Sequence, residues 1–163
     1  MTSRLASLAA LCCMLGASPA SATVDIRIDL SSQTMRVSTL RGGTEVWPVS
    51  TGRSGYVTPR GSYRPTRLAR MHYSSKYNNS PMPHSIFFKG GYAIHGTGAV
   101  SQLGRPASHG CVRLAPRHAA RLFGMAQAQG ARITLTGSPP VARQRVRAVQ
   151  RSGRQIVSAP RLY

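Results

Sequence analysis

Apolar and polar residues alternate between residues 24 and 30, and this period of two restricts the fold more than any other feature. The apolar members of the run share one face: Val24, Ile26, Ile28 and Leu30. Such alternation is typical of a half-buried β-strand. Ser31–Gln33 predicts a turn, and Thr34–Leu40 alternates again as the returning strand of a hairpin.

Two further regions favour strands. Thr44–Thr51 predicts a third strand, and Pro48 within it indicates a sheet edge or a bulge, because proline cannot donate a ladder hydrogen bond. Ile86–Phe88 and Tyr92–Ile94 are short apolar runs on either side of Gly90-Gly91, a hairpin signal. This hairpin would place His95 at the end of a strand.

One helix is expected. Pro116 suits the first turn of a helix, and Gly130 suits its end. Apolar residues recur between them at helical spacing: Ala119, Leu122, Phe123 and Ala126. Ala131–Thr136 predicts a closing strand. Since strands dominate, the expected fold class is mainly β, a mixed β-sheet sandwich with one short helix after the cysteine loop described below.

Residues 70–83 show no period and contain two prolines, so we predict an irregular loop. Its aromatic residues suggest a flap that covers a substrate, and a plain surface excursion is the alternative. His72, His84 and His118 are expected at the surface.

The two ends of the chain differ from its middle. Arg4, the apolar run that follows it and Ala20-Ser21-Ala22 resemble a secretory signal peptide over residues 1–22. Residues 138–163 follow a pair of prolines and carry six arginines without a period, which indicates a flexible basic tail. We therefore expect one domain, residues 23–137, exported to the periplasm or cell envelope as a monomer without a transmembrane segment.

The cysteine distribution draws attention to Cys111. The chain has three cysteines, and Cys12 and Cys13 would leave with the signal peptide. A single cysteine in an exported protein suggests a free and reactive thiol rather than a disulfide.

The residues around Cys111 favour nucleophilic chemistry. A thiolate is a strong nucleophile, and His95 or His109 would be the base that activates it. Gly110 allows a sharp turn and N–H groups aimed at a bound carbonyl. Arg113 offers paired donors that suit a carboxylate.

The formal net charge of +19 predicts attraction to polyanions. Export argues against nucleic acid as the partner. Anionic polymers and lipid head groups of a bacterial envelope fit better.

These residues together carry a family resemblance. His95-Gly96, followed after a short interval by Ser108-His109-Gly110-Cys111-Val112-Arg113, resembles the signature of L,D-transpeptidases with a YkuD-type catalytic domain. The segment Thr58–Tyr63, with the sequence T-P-R-G-S-Y, resembles a second motif of that family, which leads into a core strand at Ser62–Leu68. The resemblance covers residues 24 to 136.

The resemblance implies a predominantly β fold and a thioester formed at Cys111 from a peptidoglycan tetrapeptide stem. His95 would be the base, with its ring oriented by a backbone carbonyl. His109 and Gly110 would shape the loop and its oxyanion site, and four residues would contact substrate: Ser108, Arg113, Gly96 and Tyr92. The acceptor would be the amine of another stem or of an outer-membrane protein.

Three alternatives remain open. An L,D-carboxypeptidase or another cysteine peptidase of wall peptides would use the same thiol with water as acceptor. A zinc site would need a fourth ligand besides His95, His109 and Cys111, and none is obvious. A non-catalytic basic module that binds the cell wall would explain the charge but not the motif. We expect neither a metal nor a cofactor.

Overall fold

The computed structural model describes residues 23–40 and 42–140 of the chain. The described part contains nine strands and one α-helix, with two short 3₁₀ turns at Ser75–Tyr77 and Val100–Gln102. The strands are β1 (Val24–Asp29), β2 (Thr34–Thr39), β3 (Gly43–Pro48), β4 (Gly61–Tyr63), β5 (Arg67–Ser74), β6 (Ser80–Lys89), β7 (Tyr92–Gly96), β8 (Val112–Leu114) and β9 (Ala131–Thr136). The helix is α1 (Pro116–Gln129).

The strands form two mixed sheets. The first has the order β3-β2-β1-β9-β4, and the second has the order β5-β6-β7-β8. Most neighbours are antiparallel, whereas β1 with β9 and β7 with β8 are parallel pairs. The mainly β fold with one helix after the cysteine loop is therefore confirmed.

The alternating run at the start of the chain behaves as its pattern predicts. β1 buries Val24, Ile26 and Ile28 on one face and pairs antiparallel with β2. β3 is the outermost strand of its sheet, as Pro48 indicated, and it ends at that proline. The apolar faces of both sheets and α1 share one buried core.

The helix also follows its sequence signals. Pro116 occupies its first turn, and Gly130 ends it with φ +69°. The residues that α1 buries are the four that recur at helical spacing: Ala119, Leu122, Phe123 and Ala126. α1 packs against β6 and β7, so it stabilises β7, the strand that carries His95, together with its neighbour.

The single strand predicted over Ser62–Leu68 is wrong. β4 ends at Tyr63 in the first sheet, and β5 begins at Arg67 in the second. Pro65 lies between them. Proline disfavours helical backbone before it and removes a donor, so this segment suits a crossover between sheets rather than a continuous strand.

The irregular loop predicted for residues 70–83 is also wrong, because β5, a 3₁₀ turn and the first part of β6 occupy this segment. Pro81 and Pro83 pair with Tyr73 and Met71 of β5. β7 pairs only with the far half of β6, so both prolines lie where β6 has a single neighbour. Proline is tolerated in that setting because one side of the strand needs no donor.

No helix in the described part of the chain is long and apolar enough to cross a membrane. The predicted signal peptide and residues 141–163 of the predicted tail lie outside the described residues.

Candidate active site

A cavity of about 510 Å³ opens beside the second sheet, and both Cys111 and His95 line it. His95 comes from β7, and Cys111 directly precedes β8, the parallel neighbour of β7. Two residues that are 16 positions apart in the sequence therefore reach one cavity, because the parallel pair brings both strand segments side by side.

His95 is held in one orientation and one tautomer. Its side chain is buried, and its Nδ1 lies 2.7 Å from the carbonyl oxygen of Gly96. A carbonyl can only accept a hydrogen bond, so Nδ1 carries the proton and Nε2 keeps a free lone pair. Burial, helped by the nearby Arg113 cation, lowers the pKa of His95 to about 4, although the bond to Gly96 opposes the shift.

Cys111 is a free cysteine and is half-buried. It packs against a small apolar cluster of Met82, Phe87 and Ala93. Burial raises the pKa of the thiol, while the backbone of Ala93 and the charge of Arg113 lower it by less. Both shifts favour uncharged groups, so the resting site contains a thiol and a neutral imidazole rather than an ion pair.

Ser108 holds the loop that carries Cys111. It is fully buried, and its hydroxyl donates to the carbonyl oxygen of Cys111 (2.6 Å). The hydroxyl oxygen of Ser108 also accepts the N–H of Gly110 (3.0 Å). Its own N–H donates to the carbonyl of Thr51. Ser108 thus fixes both ends of the Ser-His-Gly-Cys turn.

Gly110 is required by its backbone and by its neighbours. Its φ of +117° is one that other residues rarely adopt, and a Cβ there would lie 2.7 Å from Cε1 of Tyr92 and 2.8 Å from the carbonyl oxygen of Val57. Its N–H is already bonded to Ser108. In residues 23–40 and 42–140, the N–H of Cys111 donates to no protein acceptor.

Sequence reasoning missed the role of Thr58 within the second motif. Thr58 is buried, and its hydroxyl donates to the carbonyl of Gly110 (2.8 Å) and accepts the N–H of Gly52 (2.9 Å). The motif therefore ties an upstream loop to the cysteine loop.

Gln33 was expected only as part of a turn, yet its side chain is buried in a network below the site. Its amide nitrogen donates to the carbonyl of Leu30 and to the hydroxyl of Thr51, and its amide oxygen accepts the N–H of Thr51. Thr51 in turn accepts the backbone N–H of Ser108. No local pattern in the sequence predicts this connection.

His109 lies between two aromatic rings. Tyr77 stacks on it with ring centres 4.4 Å apart, and Tyr56 meets it edge-on at 4.6 Å. Burial, followed by the charges of Arg53 and Arg113, lowers the pKa of His109. Aromatic contacts therefore engage the ring of His109, whereas the ring of His95 is held by one hydrogen bond that leaves Nε2 free.

Two of the residues expected to contact substrate do not line the cavity. Tyr92 packs under the loop against Gly110, and Gly96 serves as the hydrogen-bond acceptor of His95. Ser108 and Arg113 do line it. Arg113 lies opposite His95 in the β7–β8 register and makes a long contact to Gln102 (3.3 Å).

The surface positions predicted for three other histidines need correction. His72 lines the cavity and meets the ring of Phe87 edge-on at 5.1 Å. His118 stacks on Trp47 at 4.7 Å, so that α1 contacts β3. His84 is half-buried against Phe123. The periodicity of a single strand or helix did not predict these positions, because each histidine ring packs against a residue of another element.

Two of the three ligands considered for zinc make other contacts in this structure. His95 uses Nδ1 on Gly96, and His109 lies between two tyrosines. Among the described residues, no group of three or more His, Cys, Asp or Glu side chains is placed to hold a metal ion.

Comparison with known proteins agrees with this geometry. A model of the YkuD family, described as the L,D-transpeptidase catalytic domain, matches residues 23–148. The chain belongs to this family. The match extends beyond residue 137, where we predicted the domain to end.

Solved structures show the same fold. An L,D-transpeptidase from Stackebrandtia nassauensis is 30% identical, with 72% of this chain and 57% of that chain covered and a TM-score of 0.64. One from Mycobacterium tuberculosis H37Rv is 25% identical, with 71% and 58% covered and a TM-score of 0.64. An L,D-transpeptidase in complex with imipenem is 22% identical, with 71% and 59% covered and a TM-score of 0.63.

The chain thus spans less than two thirds of the length of these structures. No curated protein matches the sequence significantly.

Proposed function

We propose that this protein is a cysteine-dependent L,D-transpeptidase that acts on peptidoglycan tetrapeptide stems. The observation that carries the proposal is the shared cavity of Cys111 and His95, with Nδ1 of His95 committed to the carbonyl of Gly96. An imidazole in this state presents Nε2 as a base toward a nucleophile and needs no carboxylate partner.

In the first half-reaction, Sγ of Cys111 attacks the carbonyl carbon of the third residue of the stem, diaminopimelate in a Gram-negative cell. His95 takes the thiol proton through Nε2. The tetrahedral intermediate then collapses, the bond to the terminal D-alanine breaks, and the leaving amine takes the proton from His95. A thioester on Cys111 and a free D-alanine remain.

The proton moves during the attack rather than before it. Burial keeps Cys111 protonated and His95 neutral in the resting enzyme. A neutral imidazole can still accept the proton in the transition state, where the sulfur becomes more acidic as it bonds to carbon. The site therefore operates by general base catalysis and not through a preformed thiolate.

The backbone of the cysteine loop stabilises the oxyanion. Because Ser108 accepts the N–H of Gly110, we assign the Cys111 N–H as the main donor and give Gly110 the task of shaping the turn. His109, which also lines the cavity, holds the same loop through its contacts with Tyr56 and Tyr77. Preorganised donors of this kind stabilise developing negative charge without moving.

In the second half-reaction, an amine attacks the thioester carbonyl carbon and gives a proton to His95. The C–S bond breaks, an amide bond remains, and His95 returns the proton to Sγ of Cys111. The acceptor is the side-chain amine of another stem or an amine of an outer-membrane protein. Water as acceptor would make the enzyme an L,D-carboxypeptidase. All these routes share one acyl-enzyme and differ only in the product.

The test is incubation of the purified protein with a synthetic tetrapeptide stem and an amine acceptor. We expect release of D-alanine, a thioester detectable by intact mass, and a cross-linked peptide. A tripeptide alone would assign carboxypeptidase activity. Absence of both D-alanine release and acyl-enzyme would contradict the proposal and favour a non-catalytic wall-binding module.

We also propose that the protein works in the cell envelope, since its substrate lies there and residues 1–22 resemble a signal peptide. The exported form should begin at Thr23. Intact-mass measurement of protein from the periplasm and cytosol checks this. Retention of Met1, or a purely cytosolic pool, would contradict it.

A further inference from the structure

The charged residues of the chain are divided between the two sheets. All three acidic residues lie in the first sheet, Asp25 and Asp29 on β1 and Glu45 on β3. None of them lines the cavity, which instead contains the cations Arg67, Lys76 and Arg113. The cavity therefore favours a ligand that carries negative charge.

Arg67 is a cation of the cavity lining that is positioned by an aromatic ring. Its guanidinium carbon lies 3.9 Å from the ring centre of Phe87, with which it also pairs across β5 and β6. Phe87 belongs to the apolar cluster against which Cys111 packs. Arg67 and Cys111 therefore contact the same apolar cluster, which forms the floor of the cavity.

The donors of Arg67 remain available. A guanidinium that rests with its face on an aromatic ring keeps its N–H groups at its edges, in the plane of the group. The ion pairs of the described residues join Arg27 to Asp25 and Arg121 to Glu45, so neither involves Arg67. The side chain is exposed at the cavity, where a carboxylate can reach it.

Arg113 occupies a different position in relation to the reacting groups. It lies opposite His95, the residue that protonates the leaving amine, in the β7–β8 register. Its charge also acts on the Cys111 thiol, so Arg113 lies beside both reacting groups, where it can bind the terminal carboxylate of the departing residue. A second carboxylate, on the part of the peptide that stays bound to Cys111, requires another cation.

We propose that Arg67 determines donor specificity by binding a carboxylate on the acyl part of the stem peptide. The proposal rests on the function proposed above. Diaminopimelate carries such a carboxylate beyond the one that is attacked, and this group occurs free or as an amide. A planar guanidinium binds a carboxylate through paired, charge-assisted hydrogen bonds. A primary amide has only one acceptor oxygen, and its NH₂ group donates, so it cannot accept the second N–H. The enzyme should therefore prefer the free acid.

The experiment compares two tetrapeptide donors that differ only in this carboxylate or carboxamide. We expect the wild-type kcat/KM for the acid to exceed that for the amide by about tenfold, the effect of a charge-assisted hydrogen bond at an accessible site. In Arg67→Gln the ratio should fall to about one, mainly through KM for the acid. Arg67→Lys should retain part of it, because the charge remains without the paired donors.

Arg70→Gln is the matched control. Arg70 lies on the same strand, is exposed and does not line the cavity, so the ratio should stay as in the wild type. Labelling of Cys111 by iodoacetamide, which carries no carboxylate, should be equal in all variants and shows that the site is intact.

Two outcomes would overturn the inference. Arg67 would have no part in donor selection if the acid-to-amide ratio of kcat/KM stayed unchanged in Arg67→Gln, or if kcat/KM fell equally for both donors. The proposed activity would still stand. Failure of the wild-type protein to release D-alanine from either donor would reject the proposed function and this role with it.

Discussion

Cys111→Ala should abolish the thioester with a tetrapeptide stem and also the adduct with imipenem. Alanine has no nucleophilic atom, so no acyl-enzyme is possible whatever the remaining site contributes. Imipenem is a β-lactam, and its strained amide is open to attack by a thiol. Intact-mass spectrometry should show one imipenem on the wild-type protein and none on the variant.

The variant should fold normally, because Cys111 is only half-buried and its backbone carbonyl, which accepts the Ser108 hydroxyl, is unchanged by alanine. Circular dichroism and a thermal melt check this. Release of D-alanine at the wild-type rate by Cys111→Ala would contradict the thiol mechanism. Peptide mapping of the adduct to another residue would contradict it as well.

His95→Gln should slow acylation by about a hundred- to ten-thousand-fold, the usual contribution of a positioned general base. Glutamine is polar and of similar length but has no basic nitrogen, so the loss reports the missing base. The measurement is the single-turnover rate of acyl-enzyme formation with a tetrapeptide donor.

The pH dependence should separate the two routes to the acyl-enzyme. The pKa of His95 is about 4, so the base is already neutral at mildly acidic pH, and burial keeps the pKa of Cys111 above that of an ordinary thiol. Wild-type acylation should be nearly flat from about pH 5 to 8. In His95→Gln the reaction depends on the thiolate, and its rate should rise about tenfold per pH unit.

His109→Ala provides the contrast. Its ring is stacked by Tyr77 and Tyr56 and supports the loop, so its removal should reduce the rate but leave the flat pH profile. A steep profile in His109→Ala together with a flat one in His95→Gln would reverse the assignment of the base.

The sequence predicted much of the site because its chemistry is concentrated in one short stretch. The spacing of His95, Ser108 and Cys111 carried the resemblance, and the comparison with the family confirmed it. Arg113 and Ser108 line the cavity as expected, whereas Gly96 and Tyr92 support its walls instead. A motif shows which residues act together, but it does not show which of them face the substrate.

Local patterns also decided most of the elements. The period of two in β1 and β2 and the helical spacing in α1 each follow from how a strand or helix buries one face. The prediction failed twice between residues 62 and 83: the motif resemblance suggested one strand over 62–68, and the prolines and missing period suggested a loop over 70–83. There the pairing of β5 with β6 outweighed local preference, because β6 leaves one side open beside its prolines.

The sequence by itself thus determined the class of fold and the family, and it pointed to Cys111 and His95 as the nucleophile and base that we propose. Only the tertiary structure decided how these residues are held and what surrounds them. Gln33 supports Thr51 from 18 positions away, and Thr58 holds Gly110 from 52 positions away. Arg67 reaches the cavity floor through Phe87. Such contacts leave no periodic trace in the chain, because they depend on how the two sheets and their loops come together.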